Sequence, residues 1–294
     1  MQILKRVQDD KVGGRRQIPP RRPRRQSRLA VSAPRRLRTL PAPHRAAVEP
    51  TVERVSEAPA ARPAERPLVE LSHVAVGYTE PGGARVEVAS DLNLTLARGE
   101  MAYLIGPTGS GKSTLLKLLY MEIRPDQGVA RVGTFSSDTA RPADIPFLRR
   151  SLGVVFQDFQ LLPDRSAYDN VAFALHATGK RGKDVRTRAT TALAQVGLSH
   201  RSGARPSELS GGEQQRACIA RAIANDPVLV LADEPTGNLD PRVADEIQKL
   251  LVRLNRQGTA FLMATHDYRL VKAFPARTLA LVRGRLVEVD PTSL

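Results

Sequence analysis

From Leu68 onward apolar residues recur at regular intervals, and before it they do not. LVELSHVAV (68–76) and DLNLTLA (91–97) alternate apolar with polar positions, the period of a strand with one covered face. MAYLI (101–105), VLVLADEP (228–235) and AFLMATHD (260–267) are short and nearly all apolar, as expected for parallel strands buried on both faces. KSTLLKLLY (112–120) switches to a helical period directly after a glycine-rich loop. Between 143 and 207 the strand signal fades. AYDNVAFALHATG (167–179) and KDVRTRATTALAQVGL (183–198) predict amphipathic helices there. TLALVRGRLVEV (278–289) predicts a hairpin turning at Gly284. The pattern is that of an α/β core with a helical insertion, and no internal repeat interrupts it.

Residues 1–67 carry neither period. They hold ten prolines and runs such as RRPRRQSR (21–28), which predicts a disordered, basic Pro/Arg-rich tail. The net charge of +15 would point to nucleic acid or a membrane surface. However, this segment has 17 Lys and Arg against 6 Asp and Glu, so most of the excess belongs to it and no specific nucleic-acid partner is expected of the body. Several readings of the tail stand side by side: an arm on anionic lipid, an arm on nucleic acid, a solvated tail, or translated upstream DNA from a start-site artefact. The folded domain is expected over 68–290, with a helical subdomain over about 143–207. No run reaches 18 consecutive apolar residues, and no apolar segment follows the charged N-terminus. The expected location is therefore the cytoplasm. Cys218, the single cysteine, lies in a helical pattern and is expected to be an inert buried thiol.

Two stretches resemble phosphate cradles. GPTGSGKST comprises Gly106, Pro107, Thr108, Gly109, Ser110, Gly111, Lys112, Ser113 and Thr114. It matches G-x-x-x-x-G-K-[ST] between a predicted strand and a predicted helix, the context a P-loop requires. Its backbone N–H groups would face phosphates, Lys112 would reach their oxygens, and Ser113 would ligate Mg²⁺. VLVLADEP delivers Asp233 and Glu234 to a strand end, where Asp233 would hold the Mg²⁺ shell and Glu234 would act on water. The second stretch, LSGGEQQR (209–216), starts like a capped helix, with Ser210 and Glu213 as a capping box. Capping needs neither Gly211 nor Gly212, and both cost conformational entropy unless something approaches their backbone closely.

LSGGEQQR resembles the signature motif of the ATP-binding-cassette (ABC) ATPases, and the resemblance covers about 68–288. It implies a mixed core like that of RecA, an antiparallel β subdomain and a helical subdomain. In that family the signature of one subunit covers the phosphates held by the P-loop of another, so two cradles imply a head-to-tail homodimer with two ATPs between protomers. Ser210, Gly211 and Gly212 would then contact nucleotide in trans. Tyr78 resembles the aromatic that stacks on adenine. Gln157 resembles the glutamine that senses Mg²⁺, GNLD (237–240) a loop crossing the dimer, and His266 a histidine at the γ-phosphate. No catalytic position departs from the pattern, so ATP hydrolysis is expected, with Lys112, Gln157, Glu234 and His266 as the catalytic set. The segment 156–175 resembles the bacterial cell-division branch of the family. That likeness implies a polytopic membrane partner of FtsX type and a peripheral place on the inner face of the membrane. A short helix of that partner is expected in a cleft beside Phe159 to Tyr168, where FQLLP (159–163) supplies apolar surface that includes Leu161 and Leu162. An ATPase subunit of a lipoprotein, lipid or small-molecule exporter is the alternative.

Overall fold

A computed structural model describes residues 66–79, 83 and 85–294. The tail readings for 1–65 lie outside the described residues, as does the side chain of Tyr78. Ten strands and seven α-helices are described. The strands are β1 (Val69–Thr79), β2 (Arg85–Leu96), β3 (Met101–Ile105), β4 (Gln127–Val132), β5 (Phe135–Ser136), β6 (Leu152–Val155), β7 (Leu229–Asp233), β8 (Ala260–Thr265), β9 (Arg277–Val282) and β10 (Arg285–Val289). The helices are α1 (Lys112–Leu119), α2 (Ile145–Arg150), α3 (Ala167–Ala177), α4 (Gly182–Gln195), α5 (Gly211–Ile223), α6 (Pro241–Asn255) and α7 (Tyr268–Ala273).

The strands form two sheets. One is antiparallel in the order β2-β1-β4-β5. The other runs β10-β9-β3-β8-β7-β6 and is parallel except for the β9–β10 hairpin. That hairpin turns on Arg283 and Gly284, both at positive φ, as a two-residue turn of matching twist requires.

The all-apolar strands are explained by where their alternate residues go. Ala102 and Leu104 of β3, Leu229 and Leu231 of β7, and Leu262 of β8 pack toward α1 and the antiparallel sheet. Tyr103, Ile105, Val230, Ala232, Phe261 and Met263 pack on the opposite side, with residues of α3, α4, α5 and α6. A strand buried on both faces has no polar position to alternate with. Within 143–207 the chain also contains β6, which pairs in parallel with β7, so this span contributes a core strand as well as helices. The second expected helix starts at Gly182, and α3 opens on a complete Ser166–Asp169 capping box.

This order fixes the site. β3, β8, β7 and β6 are parallel neighbours in register, with Ile105 opposite Thr265, Asp233 opposite Ala264 and Val155 opposite Ala232. Their C-terminal ends therefore share one edge, the place where open parallel sheets bind ligands.

Candidate active site

The P-loop leaves β3 and ends as the first turn of α1. Gly111 caps that helix at φ 102°, and a Cβ there would sit 2.5 Å from Val88 Cγ1 on β2. Only glycine combines that angle with that approach. Lys112 is buried, and its Nζ donates to the carbonyls of Gly106 at 2.8 Å and Pro107 at 3.1 Å. Its charge is balanced by Glu234 Oε1 at 3.5 Å. A cavity of about 260 Å³ lies above the loop, lined by Thr108, Lys112, Ser113, Gln157, Glu234 and His266 among others. Val88 lines it too, a contact the sequence does not signal because it depends on β2 lying against the loop.

Asp233 and Glu234 leave β7 in different surroundings. Burial holds the Asp233 carboxyl above the usual carboxylate range; the bonded Ser113 hydroxyl pulls it down and the Glu234 charge pushes it up. Asp233 Oδ1 is buried without a hydrogen-bond partner. An ionised oxygen there gains most from a cation, and the neighbouring Ser113 hydroxyl is a second hard donor, so the pair fits Mg²⁺. No cluster of three His, Cys, Asp or Glu suited to a metal occurs among the described residues, so phosphate and water oxygens would complete the coordination. Ser110 Oγ, on the P-loop itself, is likewise buried without a partner.

Glu234 takes φ 47°, a left-handed angle that costs a residue with a Cβ about 1–2 kcal/mol. The turn faces its carboxylate toward two groups at once. Oε2 accepts from His266 Nδ1 at 2.8 Å and from the His266 backbone N–H at 3.3 Å, while Oε1 lies by Lys112. His266 follows β8 and is half exposed at the cavity wall. Gln157 follows β6, and its carbonyl accepts from Asn238 Nδ2 at 3.0 Å. Gln157 and Ser113 also line a second, larger cavity, about 590 Å³, whose wall includes Asp233 and Asn238. Thus Lys112, Ser113, Gln157, Asp233, Glu234 and His266 come together in one protomer.

The signature does not join them. Among the described residues, none from 209–216 lines the cavity above the P-loop. Ser210 caps α5, accepting from Glu213 N at 3.4 Å while its own N–H donates to Glu213 Oε2 at 2.8 Å. A Cβ on Gly212 would meet Val243 Cγ1 of α6 at 2.5 Å, so the close approach this glycine permits is to its own chain. Gly211 is different: its nearest neighbour would be Leu239 Cδ2 at 3.4 Å, and no charge or backbone explains its lack of a side chain. Asp240 caps α6 through the N–H groups of Arg242 and Val243. Cys218 is fully buried, and burial pushes its thiol up to about 12, in line with an inert role.

Within the docking segment expected over Phe159 to Tyr168, Leu161 and Leu162 are half-buried. Leu161 packs against the core, and the Asn170 side chain bonds both the N–H and the carbonyl of Leu162. The most exposed phenylalanines lie on α2 and α3. Phe147 of α2 and Phe173 of α3 are each 58% exposed, and Phe173 lines a groove of about 510 Å³ with Pro146, Arg149, Arg150, Ala177 and Arg221.

A family model described as ABC transporter matches residues 89–237. The cell division ATP-binding protein FtsE of Mycobacterium tuberculosis is 46% identical over 220 residues, 75% of this chain and 94% of that protein. FtsE of Escherichia coli is 43% identical over 219 residues, 74% of this chain and 97% of that protein. Among solved structures, the dimeric post-hydrolysis state of the ATP-binding cassette MJ0796 bound to ADP and Pi superposes with a TM-score of 0.68 at 32% identity, covering 76% of this chain and 98% of that one. CbiO1 from Clostridium perfringens, part of the transporter complex CbiONQ, gives 0.69 at 30% identity over 78% and 90% of the two chains. With the family model spanning half of the chain and relatives above 40% identity matched over nearly their whole length, the chain belongs to the ABC family of ATP hydrolases.

Proposed function

We propose that this protein is the cytoplasmic ATPase subunit of an FtsEX-type cell-division complex. In this reading it works as a head-to-tail homodimer whose hydrolysis cycle drives conformational signalling through a polytopic FtsX-type membrane partner. Likeness to FtsE over nearly the whole of those relatives supports the branch. The groove beside Phe173 supports the partner: two exposed aromatics flanked by Arg149, Arg150 and Arg221 suit a short amphipathic helix with an acidic edge. No described helix is long and apolar enough to cross a membrane. In this reading the partner's helix holds the subunit on the inner face.

The site residues divide the chemistry. Lys112 exchanges two loop carbonyls for phosphate oxygens. Ser113 and Asp233, with Gln157 beside them, would hold Mg²⁺, which when bound offsets phosphate charge. Glu234 accepts the proton of the attacking water, and His266 Nδ1–H keeps that carboxylate aimed at the cavity. Ser210, Gly211 and Gly212 of the other protomer close the site, and Tyr78 stacks on the adenine. The observation that carries the catalytic half is Glu234, buried, left-handed and held between Lys112 and His266. Co-purification of the full chain with its membrane partner tests the other half. Phe173→Asp is expected to abolish association while ATP turnover persists. A Phe173→Asp protein that still co-purifies would remove the groove as the docking site.

A further inference from the structure

The loop behind Gln157 holds a backbone shape that needs outside support. Phe159 and Gln160 both take positive φ, 60° and 47°. Residues with a Cβ seldom enter the left-handed region, and two in succession, one aromatic, persist only where surrounding groups impose it. Here the support comes from one helix. Arg221 of α5 donates from Nη2 to the Phe159 carbonyl at 3.0 Å and from Nη1 to the Gln160 carbonyl. Cys218, one turn earlier on α5, donates its thiol to the same Phe159 carbonyl at 2.8 Å. The helix that clamps this loop is the one Ser210 caps. Arg221 also forms part of the groove wall with Phe173.

We propose that Arg221 is a positioning residue that couples the Gln157 loop and the partner groove to the signature end of α5. A planar guanidinium spans two neighbouring carbonyls with fixed geometry. The loop therefore cannot shift while keeping both bonds unless α5 shifts with it. A lysine ammonium is a single point donor and serves one carbonyl at a time. Gln157 lines the cavity above the P-loop, so movement there reaches Phe159 within two residues, then α5 through Arg221, then Ser210. Two links rest on the function proposed above: the groove as the place where a partner docks, and the response of Ser210 to a nucleotide.

Hydrogen exchange of the full chain, with and without Mg-ATP, tests the idea in wild type, Arg221→Met and Arg221→Lys. In Arg221→Met, amides 158–163 should exchange about tenfold faster or more, as a freed loop opens locally. The protection that ATP confers on amides 210–214 should fall to less than about half of the wild-type change, with Arg221→Lys between the two. Turnover should drop with KM for ATP within about twofold, the signature of lost alignment rather than lost binding. Unchanged exchange at 158–163 would overturn the proposal, as would a loosened loop with an intact response at 210–214. If Arg221→Met does not fold, the same comparison in Arg221→Lys decides. A wild type with no ATP response at 210–214 would remove the composite site instead, while exchange at 158–163 still reports whether Arg221 holds the loop.

Discussion

Gly212 offers a quantitative test, because the structure gives it a close neighbour within its own chain. The ideal Cβ of Gly212→Ala lies 2.5 Å from Val243 Cγ1, at least an ångström inside normal carbon–carbon contact. Val243 is β-branched and sits in the first turn of α6, so it has few rotamers to retreat into. Overpacking of this kind costs about 1–3 kcal/mol. Replacing glycine by alanine in a helix returns up to about 1 kcal/mol, and less in a first turn. The net loss should be about 1–2 kcal/mol, or roughly 2–8 °C in melting temperature for a domain of this size. Gly211→Ala, whose Cβ would only touch Leu239 Cδ2 at 3.4 Å, should stay within about 0.5 kcal/mol of wild type. Denaturation of Gly212→Ala, Val243→Ala and the double variant closes the cycle. The double variant should be more stable than the sum of the single changes predicts, by about 1 kcal/mol. An additive cycle, or a neutral Gly212→Ala, would refute the packing cost assigned to this intrachain contact.

Asp233→Asn should raise the melting temperature of the nucleotide-free protein at pH 7 while weakening Mg-ATP binding. A carboxyl whose pKa is raised on folding stabilises fully below its unfolded pKa and loses that contribution as pH rises through the folded value. The advantage of asparagine should thus shrink toward pH 4, and with solvent screening it should not exceed about 2 °C; thermal scans across pH check it. Glu234→Gln should keep ATP affinity within about threefold and lower turnover by about a hundredfold or more, measured as phosphate release. Lys112→Ala should show the opposite order of losses, weakening nucleotide binding itself by at least about tenfold, since a charge-assisted contact is lost.

Local pattern carried most of the architecture. MAYLI is β3 residue for residue, and the apolar runs before Asp233 and His266 are β7 and β8, because a strand covered twice cannot look like anything else. β6 is four residues, LGVV, and escaped notice among helical signals, since a strand that short has no period to detect. The P-loop and strand-end acids were legible because their chemistry dictates their spacing. Contacts made only by folding were not. Val88 reaches the P-loop from another sheet, and Arg221 meets a loop 61 residues away, where no local rule connects them. Gly212 was legible as a position demanding a small residue, but only the packing of α5 against α6 identifies Val243 as the neighbour.

The central claim is that two cradles on one chain are halves of two different sites. Sedimentation of Glu234→Gln with and without Mg-ATP tests it most directly, because a protein that binds ATP without turning it over should remain closed on its partner. The account predicts a dimer only with ATP, and its loss when Gly211 is replaced by tryptophan, with nucleotide binding to the protomer unchanged. A protein that stays monomeric with ATP bound, or a dimer that tolerates the Gly211→Trp change, would contradict it.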